Sequence, residues 1–247
     1  MKRLLILGGT AEAAALARYA VQAFGTALDV TTSLAGRLPA TPALSGRVRV
    51  GGFGGTAGLV GYLEEERTDL LVDATHPFAA VISSHAADAC AGAGVPRLVL
   101  SRPAWQPQPG DRWLDAADLE EAAARLPDLA RRVFLATGPR AVEAFARCSG
   151  VWFLVRAFSP PTCRLPLSDF EAIVQRPPFT REGETALMTR WSIDALVTKN
   201  SGGPTDAKLA AARDLRLPVV MVQRPPPPPG DHVHTVTDAM RWLRDRI

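Results

Sequence analysis

Gly8-Gly9-Thr10 follows the apolar run Leu4–Leu7 and precedes the Ala-rich stretch Ala11–Ala17. An apolar run that stops at two glycines and resumes as a helical pattern reads as strand, tight turn and helix. Such a turn lets a phosphate approach the backbone, and the free N–H groups and dipole at the helix start attract negative charge. The pattern predicts a nucleotide cofactor. It is not the full G-x-G-x-x-G fingerprint, and the same junction occurs in α/β proteins that bind no nucleotide.

Further polar clusters recur after apolar runs. Thr31-Thr32-Ser33, with Arg37 four residues beyond, stands where NAD sites carry an acid for the ribose hydroxyls. Hydroxyls plus a guanidinium suit a 2′-phosphate instead, so NADP is expected over NAD. Asp29 falls inside the strand by alternation. Gly51-Gly52-Phe53-Gly54-Gly55 lets chain or ligand pass close, and Phe53 either flanks an adenine or joins the core. Asp73-Ala74-Thr75-His76-Pro77-Phe78 gathers an Asp, a Thr and a His before a proline that holds His76 extended. In the second half, Thr137-Gly138-Pro139-Arg140 opens a helix. Lys199-Asn200-Ser201-Gly202-Gly203-Pro204-Thr205-Asp206-Ala207-Lys208 resembles an anion nest of backbone N–H groups, hydroxyls and two lysines.

The elements that place these clusters alternate. Strands are predicted at Leu4–Leu7, Leu28–Thr32, Val48–Phe53, Leu70–Ala74, Pro96–Ser101, Val133–Ala136, Val151–Arg156, Ala195–Thr198 and Val219–Val222. Helices fall between them, including Thr10–Phe24, Phe78–Gly92, Leu119–Leu126, Pro139–Cys148, Pro204–Leu215 and a closing one from Val236. Alternation of this kind implies parallel sheets with right-handed crossovers. The Pro- and Gly-rich stretch Arg102–Gly110 reads as a linker, dividing the chain into domains 1–103 and 111–247. The fold class expected is α/β: two Rossmann-like domains with parallel sheets facing a central cleft, ligands lying at the strand C-termini. Pro225–Pro229 reads as a stiff polyproline connector.

Bulk properties exclude several classes. The 247 residues are 47% hydrophobic, enough for a large core, yet no apolar run approaches the ~20 residues of a membrane span. The apolar run after Met1-Lys2-Arg3 is too short for a signal peptide, so a soluble cytoplasmic protein is expected. Cys90, Cys148 and Cys163 are dispersed and make neither a disulfide framework nor a zinc site. The net charge of +3 favours an acidic ligand but lacks the clustered basic face of a nucleic-acid binder.

In order along almost the whole chain, Leu5–Thr10 with Glu12-Ala13, Thr32-Ser33 with Ala35-Gly36-Arg37, Asp73–Ala79, Ser101-Arg102, Thr137-Gly138, and Thr198–Gly203 with Thr205 and Lys208 resemble the precorrin-6A reductase family of cobalamin biosynthesis. The Thr-His-Pro and Lys-Asn-Ser-Gly-Gly pieces are the specific ones. The resemblance implies reduction of a macrocycle double bond by NADPH, with a polycarboxylate tetrapyrrole as substrate and other enzymes of the pathway as candidate partners. Gly8, Gly9 and Thr10 would hold the pyrophosphate, and Thr32, Ser33 and Arg37 the 2′-phosphate. Gly52 and Phe53 join the cofactor site, and Asp73, Ala74, Thr75, His76 and Pro77 would shape the nicotinamide end. Thr137, Gly138, Arg140, Lys199, Ser201, Gly202, Gly203, Thr205 and Lys208 would receive substrate carboxylates. The proton comes from His76, Lys199 or water, and no metal is expected. Two other classes remain: an NADP-responsive binding module without catalysis, and a methyltransferase of the same pathway.

Overall fold

The computed structural model describes residues 1–36, 44–160 and 164–247. In chain order the elements are β1 (Lys2–Leu7), α1 (Ala11–Phe24), β2 (Leu28–Leu34), β3 (Arg47–Val50), α2 (Thr56–Glu65), β4 (Leu70–Asp73), α3 (Ala80–Ala93), β5 (Arg97–Leu100), β6 (Trp113–Ala116) and α4 (Leu119–Leu129). They continue with β7 (Arg132–Leu135), a 3-10 helix (Pro139–Phe145), β8 (Trp152–Ala157), β9 (Phe170–Val174), α5 (Arg181–Arg190), β10 (Ala195–Lys199), α6 (Ala207–Asp214), β11 (Val219–Val222), β12 (Asp231–Val233) and α7 (Val236–Arg244). The chain forms two compact units, Met1–Pro103 with Pro225–Ile247, and Ala104–Arg224.

The first unit is a six-stranded parallel sheet in the order β3-β2-β1-β4-β5-β12. Its centre reads as unbroken apolar residues because both faces are covered. Leu4 and Ile6 of β1, with Leu70 and Val72 of β4, enter a core with Leu16, Ala20, Trp242 and Leu243 of α1 and α7. Leu5, Leu7 and Leu71 face the other way, onto Leu59, Leu63, Ala86 and Ala89 of α2 and α3. Strand order reverses between β1 and β4, which is where a doubly wound sheet opens its ligand crevice.

The second unit repeats that order as β9-β8-β7-β10-β11-β6, all parallel, with its reversal between β7 and β10. The two units differ in where the sixth strand comes from. In the second it is β6, which precedes the others in sequence; in the first it is β12, delivered by the end of the chain.

Two expectations are corrected here. The tail 225–247 belongs to the first unit, not the second. β12 pairs with β5, Ala239, Trp242 and Leu243 are buried in the first unit's core, and the Trp242 indole N–H donates to Asp231 Oδ2 at 2.7 Å. The five prolines therefore carry the chain from one unit back to the other. The helix expected at Pro139–Cys148 is a 3-10 turn, in which Ala141 N–H bonds Gly138 O and Ala146 N–H bonds Glu143 O, three residues back.

Candidate functional site

In the first unit, the C-terminal ends of β1 to β4 surround a cavity of about 250 Å³ whose walls include Gly8, Ser33, Gly52, Phe53, Thr75 and His85. The backbone just past each strand is stitched to its neighbour. Gly8 N–H donates to Ser33 O at 2.8 Å, Gly51 N–H to Leu34 O at 2.9 Å and Ala74 N–H to Leu7 O at 2.9 Å. Gly9 has φ 108°, a conformation that favours glycine. Gly8 has a different reason: a Cβ there would lie 2.8 Å from Thr32 Cγ2. Thr32 is fully buried beneath it, with its hydroxyl lacking a hydrogen-bond partner among the described residues. Thr10 caps α1, its Oγ1 accepting from Ala13 N–H at 3.1 Å and donating to Ala74 O at 2.7 Å. Glu12, in the first turn of α1, is neutralised by Arg102 at 3.0 Å.

At the end of β4, Asp73 is 2% exposed. Its Oδ1 accepts from Thr75 N–H at 3.1 Å and from the Thr75 hydroxyl at 2.7 Å, which fixes the turn toward His76 and Pro77. Its Oδ2 is buried without a partner among the described residues. His76 is exposed, and its Nδ1 accepts from Phe78 N–H at 3.2 Å, so the ring proton of the neutral form sits on Nε2. Arg37 lies outside the described residues. Among the described residues, a guanidinium at the β2 end is supplied by Arg49, which β2–β3 pairing sets opposite Ser33. Arg49 donates to Ser33 Oγ at 3.3 Å and to the carbonyls of Gly51 and Gly52 at 2.6 and 2.8 Å, and lies 3.9 Å over the Phe53 ring.

In the second unit, the loop after β10 is held from below. The Asn200 side chain accepts from Trp105 N–H at 2.8 Å and donates to Trp105 O at 3.3 Å, so it bonds both backbone groups of one residue. The Trp105 indole N–H donates to Gly203 O at 2.9 Å. Lys208 is 6% exposed, donates to Thr205 O at 2.6 Å and places its ammonium 4.3 Å over the Trp105 ring, so it braces the loop from inside. Gly202 and Gly203 turn the chain at φ 65° and 79°. Lys199, Ser201 and Thr205 keep partial exposure on this loop. Burial pushes the Lys199 ammonium below the usual lysine range. The Thr137 hydroxyl, at the β7 end beside Gly138, is buried without a hydrogen-bond partner among the described residues. The Arg140 side chain lies outside the described set.

A family model described as precorrin-6x reductase CbiJ/CobK matches residues 3–244. The chain belongs to this family. It is 49% identical to the precorrin-6A reductase of Rhodococcus erythropolis over 98% of both chains. It is 44% identical to that of Rhodobacter capsulatus over 99% of this chain and 97% of the other. The solved structure of CobK precorrin-6A reductase superposes with a TM-score of 0.91 at 43% identity, covering 99% of this chain and 97% of that one. The protein is thus a CbiJ/CobK-family reductase with two Rossmann-like halves, and it uses a nicotinamide cofactor.

The first unit of this reductase fits such a cofactor. Gly8 and Gly9 keep side chains out of the turn, and among the described residues, its two chain neighbours aside, no atom lies within 4 Å of a Cβ built at Gly9. The buried, half-satisfied Asp73 carboxylate offers an acceptor for a hydroxyl or amide. Among the described residues no His, Cys, Asp and Glu cluster could hold a metal, and no helix is long and apolar enough to cross a membrane. Cys90 and Cys148 are buried free thiols, and burial pushes Cys90 up to about 11, so neither supplies a thiolate; Cys163 lies outside the described residues. Sequence reading missed Arg49 and Trp105, and it singled out Asn200 within the Lys199–Lys208 run without its role of holding Trp105. The one available signal was Trp105, a large apolar residue inside what reads as a linker and which packs against the second unit's core.

Proposed function

We propose that the protein is a cytoplasmic precorrin-6A reductase that uses NADPH to saturate one double bond of the macrocycle in cobalamin biosynthesis. The observation that carries this reading is the family match over nearly the entire chain, joined to a glycine turn at the β1/β4 reversal of a Rossmann-ordered sheet.

When bound, reduced nicotinamide supplies the hydride, and the reaction adds that hydride to one carbon and a proton to its neighbour. The residues of the chain bind and orient. Gly8, Gly9 and Thr10 would receive the pyrophosphate at the start of α1. Ser33 would face the adenosine ribose, and Phe53 the adenine. Asp73 and Thr75 would shape the nicotinamide end together with Ala74, His76 and Pro77. In the second unit Lys199, Ser201, Thr205 and the backbone at Gly202 and Gly203 would hold substrate carboxylates, with Thr137, Gly138 and Arg140 on the β7 side. Lys208 would act through the loop it braces. His76 and Lys199 are the protein's candidate proton donors, beside a bound water.

The test is direct. Purified protein is incubated with NADPH and precorrin-6A while nicotinamide absorbance is followed and the product is weighed by mass spectrometry. Cofactor oxidation coupled to a product two hydrogens heavier is expected. Binding of both ligands without oxidation would make the protein a binding module. Affinity for a methyl donor in place of NADPH would move it to the methyltransferases.

A further inference from the structure

Resting on the reading of the first unit as the cofactor lobe, we infer that Arg49, hydrogen-bonded to Ser33, is the residue that recognises the 2′-phosphate and so sets the preference for NADPH over NADH.

Strand register brings the two residues together. At the end of the second strand of a Rossmann sheet stands the group that reads the ribose 2′ position. Here that group is Ser33, and the β2–β3 pairing brings Arg49 directly opposite it, sixteen residues away in sequence. Both belong to the row that includes Leu7, and Ser33 lines the cavity.

The guanidinium is held in place with donors to spare. Its Cζ lies 3.9 Å from the Phe53 ring centroid, a cation–π contact that needs no hydrogen-bond donor of the group. Of the five N–H donors of an arginine, three bond Ser33 Oγ, Gly51 O and Gly52 O. The remaining two have no hydrogen-bond partner among the described residues. Because Ser33 accepts from Arg49, its own hydroxyl proton is directed elsewhere and can serve the same anion.

The charge of Arg49 also fits an anion. The contacts of Arg49 are neutral carbonyls, a hydroxyl and aromatic rings, with no carboxylate in ion-pair range among the described residues. Nearby Arg47, by contrast, is neutralised by Asp29 at 2.8 Å. That pair also removes the one acid of β2 from competition, and Asp29 lies toward the start of the strand. A preorganised, uncompensated guanidinium next to a hydroxyl suits a doubly charged phosphate, whereas a ribose hydroxyl gains much less from it.

The test measures binding of NADPH and of NADH to the full-length protein by calorimetric titration, in wild type and in Arg49→Met. Arg49→Met should weaken NADPH at least about tenfold, the scale of a lost charged hydrogen bond, and change NADH by less than about twofold. Arg49→Gln, which removes the guanidinium but keeps a polar amide, serves where the Met variant does not fold, with the same expected loss of preference. If a folded variant weakens both cofactors equally, or keeps the wild-type ratio, Arg49 only clamps the glycine loop and the inference is overturned. A wild type that binds neither cofactor overturns instead the cofactor reading on which it rests.

Discussion

Thr10 and Ala74 are joined by one hydrogen bond of 2.7 Å that ties the glycine turn after β1 to the end of β4. The same hydroxyl caps α1 by accepting from Ala13 N–H. Together with the bond of 2.9 Å from Ala74 N–H to Leu7 O, this side chain ties the C-terminal tips of the two strands whose order reverses, and it connects the turn to the Asp73–Pro77 segment.

Thr10→Val keeps the shape and removes both bonds. Loss of an N-cap costs about 1 kcal/mol, which for a chain of this size lowers the melting temperature by roughly 2–4 °C. The KM for NADPH should rise together with that loss, and Thr10→Ser should restore both. A variant with unchanged melting temperature but a raised KM would show that the hydroxyl meets the cofactor itself rather than holding the frame.

Much of this arrangement is legible in the sequence, and the exceptions share a physical cause. β1, β4, β7 and β10 are found easily because a strand covered on both faces must be apolar throughout. The three strands that escape, β6, β9 and β12, all lie at sheet edges. They are short and partly exposed, and residues such as Asp231 and His232 or Glu171 break the apolar pattern. The return of the tail to the first unit is hidden for the same reason, since β12 is its anchor. At the site, Gly8, Thr10 and Asp73 announce themselves by type and position. Arg49 does not, nor does the bracing role of Asn200, because their partners, Ser33 and Trp105, are brought to them by strand register and loop docking rather than by spacing.

Gly8→Ala tests how closely the turn sits on β2. The added methyl would lie 2.8 Å from Thr32 Cγ2 and 3.3 Å from Leu34 Cδ2, and overpacking of this kind costs roughly 1–3 kcal/mol. Thr32→Ser deletes the nearer obstacle. The double variant should recover much of the stability lost by Gly8→Ala, read from urea denaturation midpoints. Simple additivity of the two changes would mean that the strain lies in the backbone and not in this contact.

Arg156 and Glu184 form a buried ion pair in the second unit, with side chains 5% and 3% exposed. The guanidinium also lies over Phe134 and Phe179, at 4.8 and 4.0 Å from the ring centroids. Glu184→Gln leaves that charge uncompensated in apolar surroundings and should cost about 3–5 kcal/mol. The double change Arg156→Met with Glu184→Leu should restore most of it, since two apolar side chains need no partner. Denaturation curves of the three variants decide the matter, and a harmless Glu184→Gln would mean that the pair contributes nothing to stability.

Lys199 gives the pH dependence. Burial holds its ammonium below the ordinary lysine value of 10.5. The charged form, the one that attracts a carboxylate or donates a proton, exists below that lowered pKa and is lost as pH rises through it. Thus kcat/KM for the tetrapyrrole, which reports the free enzyme, should fall on the alkaline side with a midpoint under 10.5. Lys199→Met should remove this limb along with most of the activity, and Lys199→Arg should keep binding and abolish the limb, because a guanidinium stays charged over the whole range. Stability moves the opposite way. With the folded-state pKa depressed, the unfolded chain binds the extra proton, so folding is favoured as pH rises from the depressed value toward the unfolded one. An alkaline loss of kcat/KM that persists unchanged in Lys199→Met would assign the titration to another group.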